Sequence, residues 1–176
     1  MSRFREDPLF GIARAILTAC LVLVGIGFVG AIVGLGGVAI FYSKVMAEIA
    51  ESGGPASAYF VIVGMILMAL VLIAMVALFI THLRHIVDTV ADGDPFIPVN
   101  AMRLAHMAWL SLGIFVMTIP VSIAATWLEK VLEHGQDIEV ETDFDINTLF
   151  LVLTLFILAR VFRKGSQMRE ELEGTV

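Results

Sequence analysis

Apolar residues gather into four long runs, over 16–42, 58–81, 104–128 and 146–162, and the charged residues lie almost entirely between them. None of the runs alternates with the two-residue period of a barrel strand. A helix rising 1.5 Å per residue needs about 20 residues to cross a hydrocarbon core of about 30 Å. The first three runs have that length, and the fourth, near the lower limit, carries no charge before Arg160. Backbone polar groups in lipid must be satisfied within the spanning structure itself. The pattern therefore predicts an all-α fold. It would be a polytopic membrane protein with four transmembrane helices in an antiparallel bundle, one domain over residues 1–176.

Composition agrees. Of 176 residues 59% are hydrophobic and 16% charged, and the mean hydropathy is +0.95; a soluble domain carries roughly 25% charged residues. A chain this short cannot hide so much apolar surface in one core, which leaves lipid as its solvent. The formal charge of −6 does not mark an acidic soluble protein, because the charges sit outside the runs. The first run is too long for the apolar part of a cleavable signal and is expected to stay as an anchor. A single cysteine, Cys20, excludes an intrachain disulfide and reads as a small buried hydrophobe.

Basic residues orient the chain. Arg3, Arg5 and Arg14 precede the first run, Arg84 and Arg103 flank the connection between the second and third, and Arg160, Arg163, Lys164 and Arg169 end or follow the fourth. Only Lys44 and Lys130 fall on the other side. Positive residues mark the cytoplasmic side, so both termini and the middle hairpin are expected there. The first run is rich in glycine, and its Gly30–Gly34 pair is expected to let a neighbouring helix of the chain approach closely, with homodimerisation as the second option. Pro120 is expected to kink the third helix.

The middle hairpin is the most informative stretch. The second helix should run past the membrane to about Asp92. Gly93 would stop it, Pro95 and Pro98 forbid helix, and Asn100 would cap the third helix. Phe96 should fold back against the helix ends. Counting outward from the turn sets His85 level with His106 and Asp88 level with Arg103, the latter as a structural ion pair. His82, His85 and His106 raise haem or divalent metal ligation, but no HExxH spacing and no second histidine pair accompany them. Hydrogen-bonded interfacial histidines are the reading adopted, with no cofactor and no metal.

From Asp137 to Asp145 acidic residues alternate with mostly apolar ones in the outer loop that begins at Glu129. Such a row attracts cations or cationic peptides, yet it lacks the glycine and ordered ligands of a calcium loop. A solvated segment lying on the membrane, with Ile138, Val140 and Phe144 downward, is expected. No ionisable group lies in the middle of a run, as a transporter's coupling site would require. No phosphate loop, nucleophile set or carboxylate pair occurs, and Ser111, Thr118, Ser122 and Thr126 read as helix-packing hydrogen bonds. The chain is not expected to be an enzyme or to bind nucleic acid directly.

Two stretches carry a resemblance. Gly93-Asp-Pro-Phe96 with Asn100 and Leu104 is the first. Leu158-Ala-Arg-Val-Phe162-Arg-Lys-Gly165 with Met168-Arg-Glu-Glu171 and Thr175-Val176 is the second. Together they resemble the bacterial membrane family catalogued as domain of unknown function 2975. The acidic outer loop and Glu173-Gly174 depart from that family's pattern. The resemblance implies a four-helix protein of the bacterial cytoplasmic (inner) membrane. It supplies no activity. Members often encoded beside small helix-turn-helix regulators imply a soluble transcription regulator as partner, besides the lipid bilayer and a homo-oligomer. The chain is thus expected to be a non-enzymatic regulatory or sensory protein. Its docking surface would comprise Asp92, Gly93, Asp94, Pro95, Phe96 and Asn100 with Val161, Phe162, Arg163 and Gly165. Gly165 would break the fourth helix, leaving 167–171 as a short amphipathic tail. The same residues also fit a tight turn and a helix stop with a snorkelling basic anchor. The alternative function is a subunit of a small oligomeric transporter or channel.

Overall fold

A computed structural model describes residues 8–132 and 146–173. It contains α1 (Pro8–Ile40), α2 (Tyr42–Glu51), α3 (Ser57–Ala91), α4 (Pro98–Leu132) and α5 (Ile146–Glu173), with no strand among the described residues. Four of these helices, α1, α3, α4 and α5 over Ile146–Leu172, are long and apolar enough to cross a membrane. The chain is an all-helical, multi-pass membrane protein. The alternating acidic stretch 137–145, Arg3, Arg5 and the terminal Thr175-Val176 lie outside the described residues.

The hydropathy pattern did not separate α2. It is short and amphipathic, with Val45 and Ile49 one turn apart and Lys44, Glu48 and Glu51 on the remaining surface. A window long enough to find a span averages such a helix away.

The chain divides into two compact units, one of Met1–Val24, Met75–Gly113 and Asp145–Val176, the other of Gly25–Ala74 and Ile114–Phe144. In the second unit Tyr42 meets the edge of Tyr59 at 4.9 Å between ring centroids, and Ile49 is buried. Gly53, at φ 71°, turns the chain after α2. At Gly54 a β-carbon would come within 2.9 Å of Leu132 Cδ2 and 3.2 Å of the Ile49 carbonyl oxygen, so a larger residue there would push on its neighbours. Thr118 and Thr126 donate their hydroxyls to Phe115 O and Ser122 O of their own helix, rather than across a helix interface.

The first unit holds a core of Ile86, Leu104, Met107, Ala108, Leu155 and Ala159, drawn from α3, α4 and α5 and surrounded by Phe79, Leu83, Val90, Phe156 and Phe162. In it α3 and α4 are antiparallel. Thr89 pairs with Asn100, His85 with Arg103, and His82 with His106. These pairs are nearly symmetric about Asp94. The expected partners Asp88–Arg103 and His85–His106 lie three residues, almost one turn, out of this register. They would need a pivot beyond Pro95, but the chain turns earlier. Gly93, at φ 89°, reverses it at once. Gly93 N donates to Val90 O and Asp94 N to Thr89 O, the paired bonds of a Schellman ending. α4 then starts at Pro98, whose missing N–H costs nothing in a first turn.

α1 has no buried residue. Among the described residues nothing lies within 4 Å of where a β-carbon would sit at Gly25, Gly27, Gly30, Gly34, Gly36 or Gly37. The expected packing of the Gly30–Gly34 pair against another helix of the chain is therefore not found. Small residues permit close approach between helices but do not compel it.

Candidate functional site

The first unit ends in a cap built from the α3–α4 turn and the C-terminal half of α5. Asn100 is its hub and is fully buried. Its Nδ2 donates to Thr89 Oγ1 at 2.7 Å and to Pro95 O at 3.0 Å. Its Oδ1 accepts from Arg103 Nη1 at 3.0 Å. Arg103 Nη1 also donates to His85 O at 3.3 Å, and Thr89 Oγ1 donates to Ile86 O at 2.8 Å. One amide thus ties the turn to the last turn of α3 and the first of α4. Asn100 does not cap α4 as the sequence suggested. It lies inside the first turn, where Pro98 already leads the helix.

Arg103 is therefore committed to Asn100 and not to Asp88. Asp88 Oδ1 instead faces Arg14 Nε of α1 at 2.6 Å. The Arg14 Nε–H does not point along that line and has no hydrogen-bond partner. The contact is Coulombic, and with both side chains more than a third exposed it adds little to stability.

The turn is fastened to α5 at two points. The Phe96 ring packs against Phe162 with centroids 5.2 Å apart and rests on Gly165. A β-carbon at Gly165 would come within 2.8 Å of Phe96 Cδ1. Beyond it, Asp94 pairs with Arg169. Gly165 does not end the helix, which runs through it to Glu173. Interior glycine costs a helix about 1 kcal/mol, and here it provides the seat for an aromatic ring. Ser166, also buried, donates to Arg163 O at 2.9 Å.

Successive helical residues are rotated by about 100°. Phe162, Gly165 and Arg169 therefore share the face of α5 turned to the loop. Arg160, Arg163, Lys164 and Gln167 share the opposite one. These four line a groove of about 750 Å³ beside α4, with Ala105, Trp109, Phe156, Ile157 and Ala159. Arg163 thus stands apart from the Phe162–Gly165 surface to which the sequence assigned it, and Val161 is exposed between the two faces. The histidines are placed differently too. His82 and His106 have ring centroids 5.5 Å apart. Among the described residues no group of three or more His, Cys, Asp or Glu side chains could hold a metal ion.

Sequence reasoning missed Thr89, Arg14 and Arg169 as partners. For Thr89 the signal was a hydroxyl one turn from a glycine helix stop. For Arg169 it was a lone cation one turn after Gly165, able to reach the loop that Gly165 admits.

Residues 45–176 match the model of a family described as protein of unknown function (DUF2975). The match takes in both halves of the cap and leaves α1 outside. No curated protein and no solved structure matches the chain.

Proposed function

The chain belongs to the DUF2975 family, and on that footing we propose a non-enzymatic regulatory or sensory protein of the bacterial cytoplasmic membrane that docks a small soluble regulator of helix-turn-helix type. One observation carries the reading: two segments some seventy residues apart in sequence meet in a single fastened cap through Phe96 on Gly165 and Asp94 with Arg169. Spanning a bilayer does not require a turn to be fastened to the last helix. A preordered surface, however, lowers the cost of binding a partner. Apolar side chains remain open at this end of the unit: Phe96 at 43%, Val99 at 42% and Met168 at 50% exposure. Exposed apolar groups beyond the lipid-covered runs fit contact with another protein. The bias of basic residues supports placing the cap in the cytoplasm, and the resemblance supports the choice of partner.

The test is purification of the tagged protein from its native membrane in mild detergent, with mass spectrometry of what accompanies it. A small helix-turn-helix protein is expected, lost with Val99→Asp or Met168→Asp, which alter the open surface and leave Phe96 seated. Recovery of the chain alone, or a companion indifferent to both substitutions, contradicts the reading.

The second reading, a subunit of an oligomeric transporter or channel, is favoured by α1, which has no buried residue and an open row of glycines. Substitution of Gly30 and Gly34 by leucine would then dissociate an oligomer seen by size-exclusion chromatography with light scattering.

A further inference from the structure

The groove between α4 and α5 lies outside the cap and asks for a different ligand. Its lining changes character along its length. Trp109, Phe156 and Ile157 form an apolar stretch, Trp109 set edge-on to Phe156 with centroids 5.4 Å apart. Arg160, Arg163, Lys164 and Gln167 follow on the same face of α5. The positions 156, 160, 163, 164 and 167 are spaced by three and four, the spacing that stacks side chains along one helix face. None of the lining residues is acidic. Among the described residues the ion pairs of this unit engage Arg14 and Arg169, and none engages Arg160, Arg163 or Lys164.

From Ile146 to Ala159 α5 carries no charge, so Arg160 is the first charged residue of this candidate span, after a long apolar stretch and toward its C-terminal end. Basic pockets between transmembrane helices suit the phosphate of an anionic lipid, and arginine forks match phosphate oxygens.

We propose that this groove is a site for an anionic phospholipid, its phosphate held by Arg160, Arg163 and Lys164 and its acyl chains lying along Ile157, Phe156 and Trp109. The site goes beyond the docking function and does not depend on it. It uses the face of α5 opposite Phe162 and Gly165, so the identity of the bilayer's lipids reaches the helix that carries half of the cap.

Trp109 supplies the readout. A Trp127→Phe variant, with Trp109 as its sole tryptophan, is reconstituted in phosphatidylcholine vesicles containing brominated phosphatidylglycerol or, at equal mole fraction, brominated phosphatidylcholine. Stronger quenching by the anionic lipid is expected. Single substitutions Arg160→Gln, Arg163→Gln and Lys164→Gln should each lower the preference by roughly two- to fivefold, and the triple variant should abolish it. Arg84→Gln, outside the groove, should leave it intact, and circular dichroism checks that each variant keeps its helices. Equal quenching by the two lipids overturns the proposal. So does a preference that survives the triple substitution, or one that falls equally with Arg84→Gln, which would mark general surface attraction. Inorganic phosphate at millimolar concentration should not relieve the quenching. If it does, the site is one for soluble phosphate and the lipid assignment fails.

Discussion

Asn100 and Gly165 show how single residues set the cap. Asn100 makes three side-chain hydrogen bonds from a fully buried position. Each such bond contributes about 1 kcal/mol, and stranded partners add a desolvation cost. Asn100→Leu is expected to destabilise the protein by about 2–4 kcal/mol, read as the shift of its thermal unfolding in detergent. At Gly165 two effects oppose. Alanine improves a helix interior by about 1 kcal/mol, but its β-carbon would sit 2.8 Å from the Phe96 ring, and overpacking costs about 1–3 kcal/mol. The clash should win, making Gly165→Ala destabilising. With Phe96→Ala already present, the same substitution should become neutral or stabilising. A double-mutant cycle of unfolding temperatures reads this change of sign directly. Little of it was legible beforehand. The motif residues stood out in the sequence, but nothing in their order says that Phe96 lands on Gly165 rather than on a partner, because that contact joins segments seventy residues apart.

At the scale of elements, the four spans were legible because lipid imposes a continuous requirement on every residue of a run. Three features were not. α2 is too short and too mixed to stand out against a span. Gly165 looked like a stop because glycine disfavours helix locally, whereas packing around it decides the matter. The register of α3 against α4 failed by three residues, since counting across a turn depends on where the pivot lies. The Schellman ending at Gly93 and the helix start at Pro98 place it at Asp94. Cross-linking checks this register. In a Cys20→Ala background, cysteines at 82 and 106 should be joined efficiently by a short thiol cross-linker, and cysteines at 85 and 106 poorly. The reverse order would restore the pairing first expected from the sequence.

Over the whole molecule, the charge pattern and the fold divide the work. The apolar runs make a multi-pass membrane protein with four helices able to cross. The cap and the groove use opposite faces of α5. The groove was only half legible. Its three cations were read as orientation signals, Arg163 also as a docking residue, and their alignment with Trp109 and Phe156 needed the packing of α4 on α5. The docking residues read from the two motifs included Asp94, Phe96, Asn100, Phe162 and Gly165 of the cap but not its partners Thr89 and Arg169, and they counted Arg163 with it, whereas Arg163 lines the groove. The central claim, that the cap docks a soluble regulator, is tested most directly by placing a photo-reactive amino acid at Val99 or Met168 in intact cells and identifying the adducts. The account predicts a covalent product with a small soluble helix-turn-helix protein from these two positions and none from Trp109. Adducts only with other copies of the chain, or none from either cap position, would contradict it.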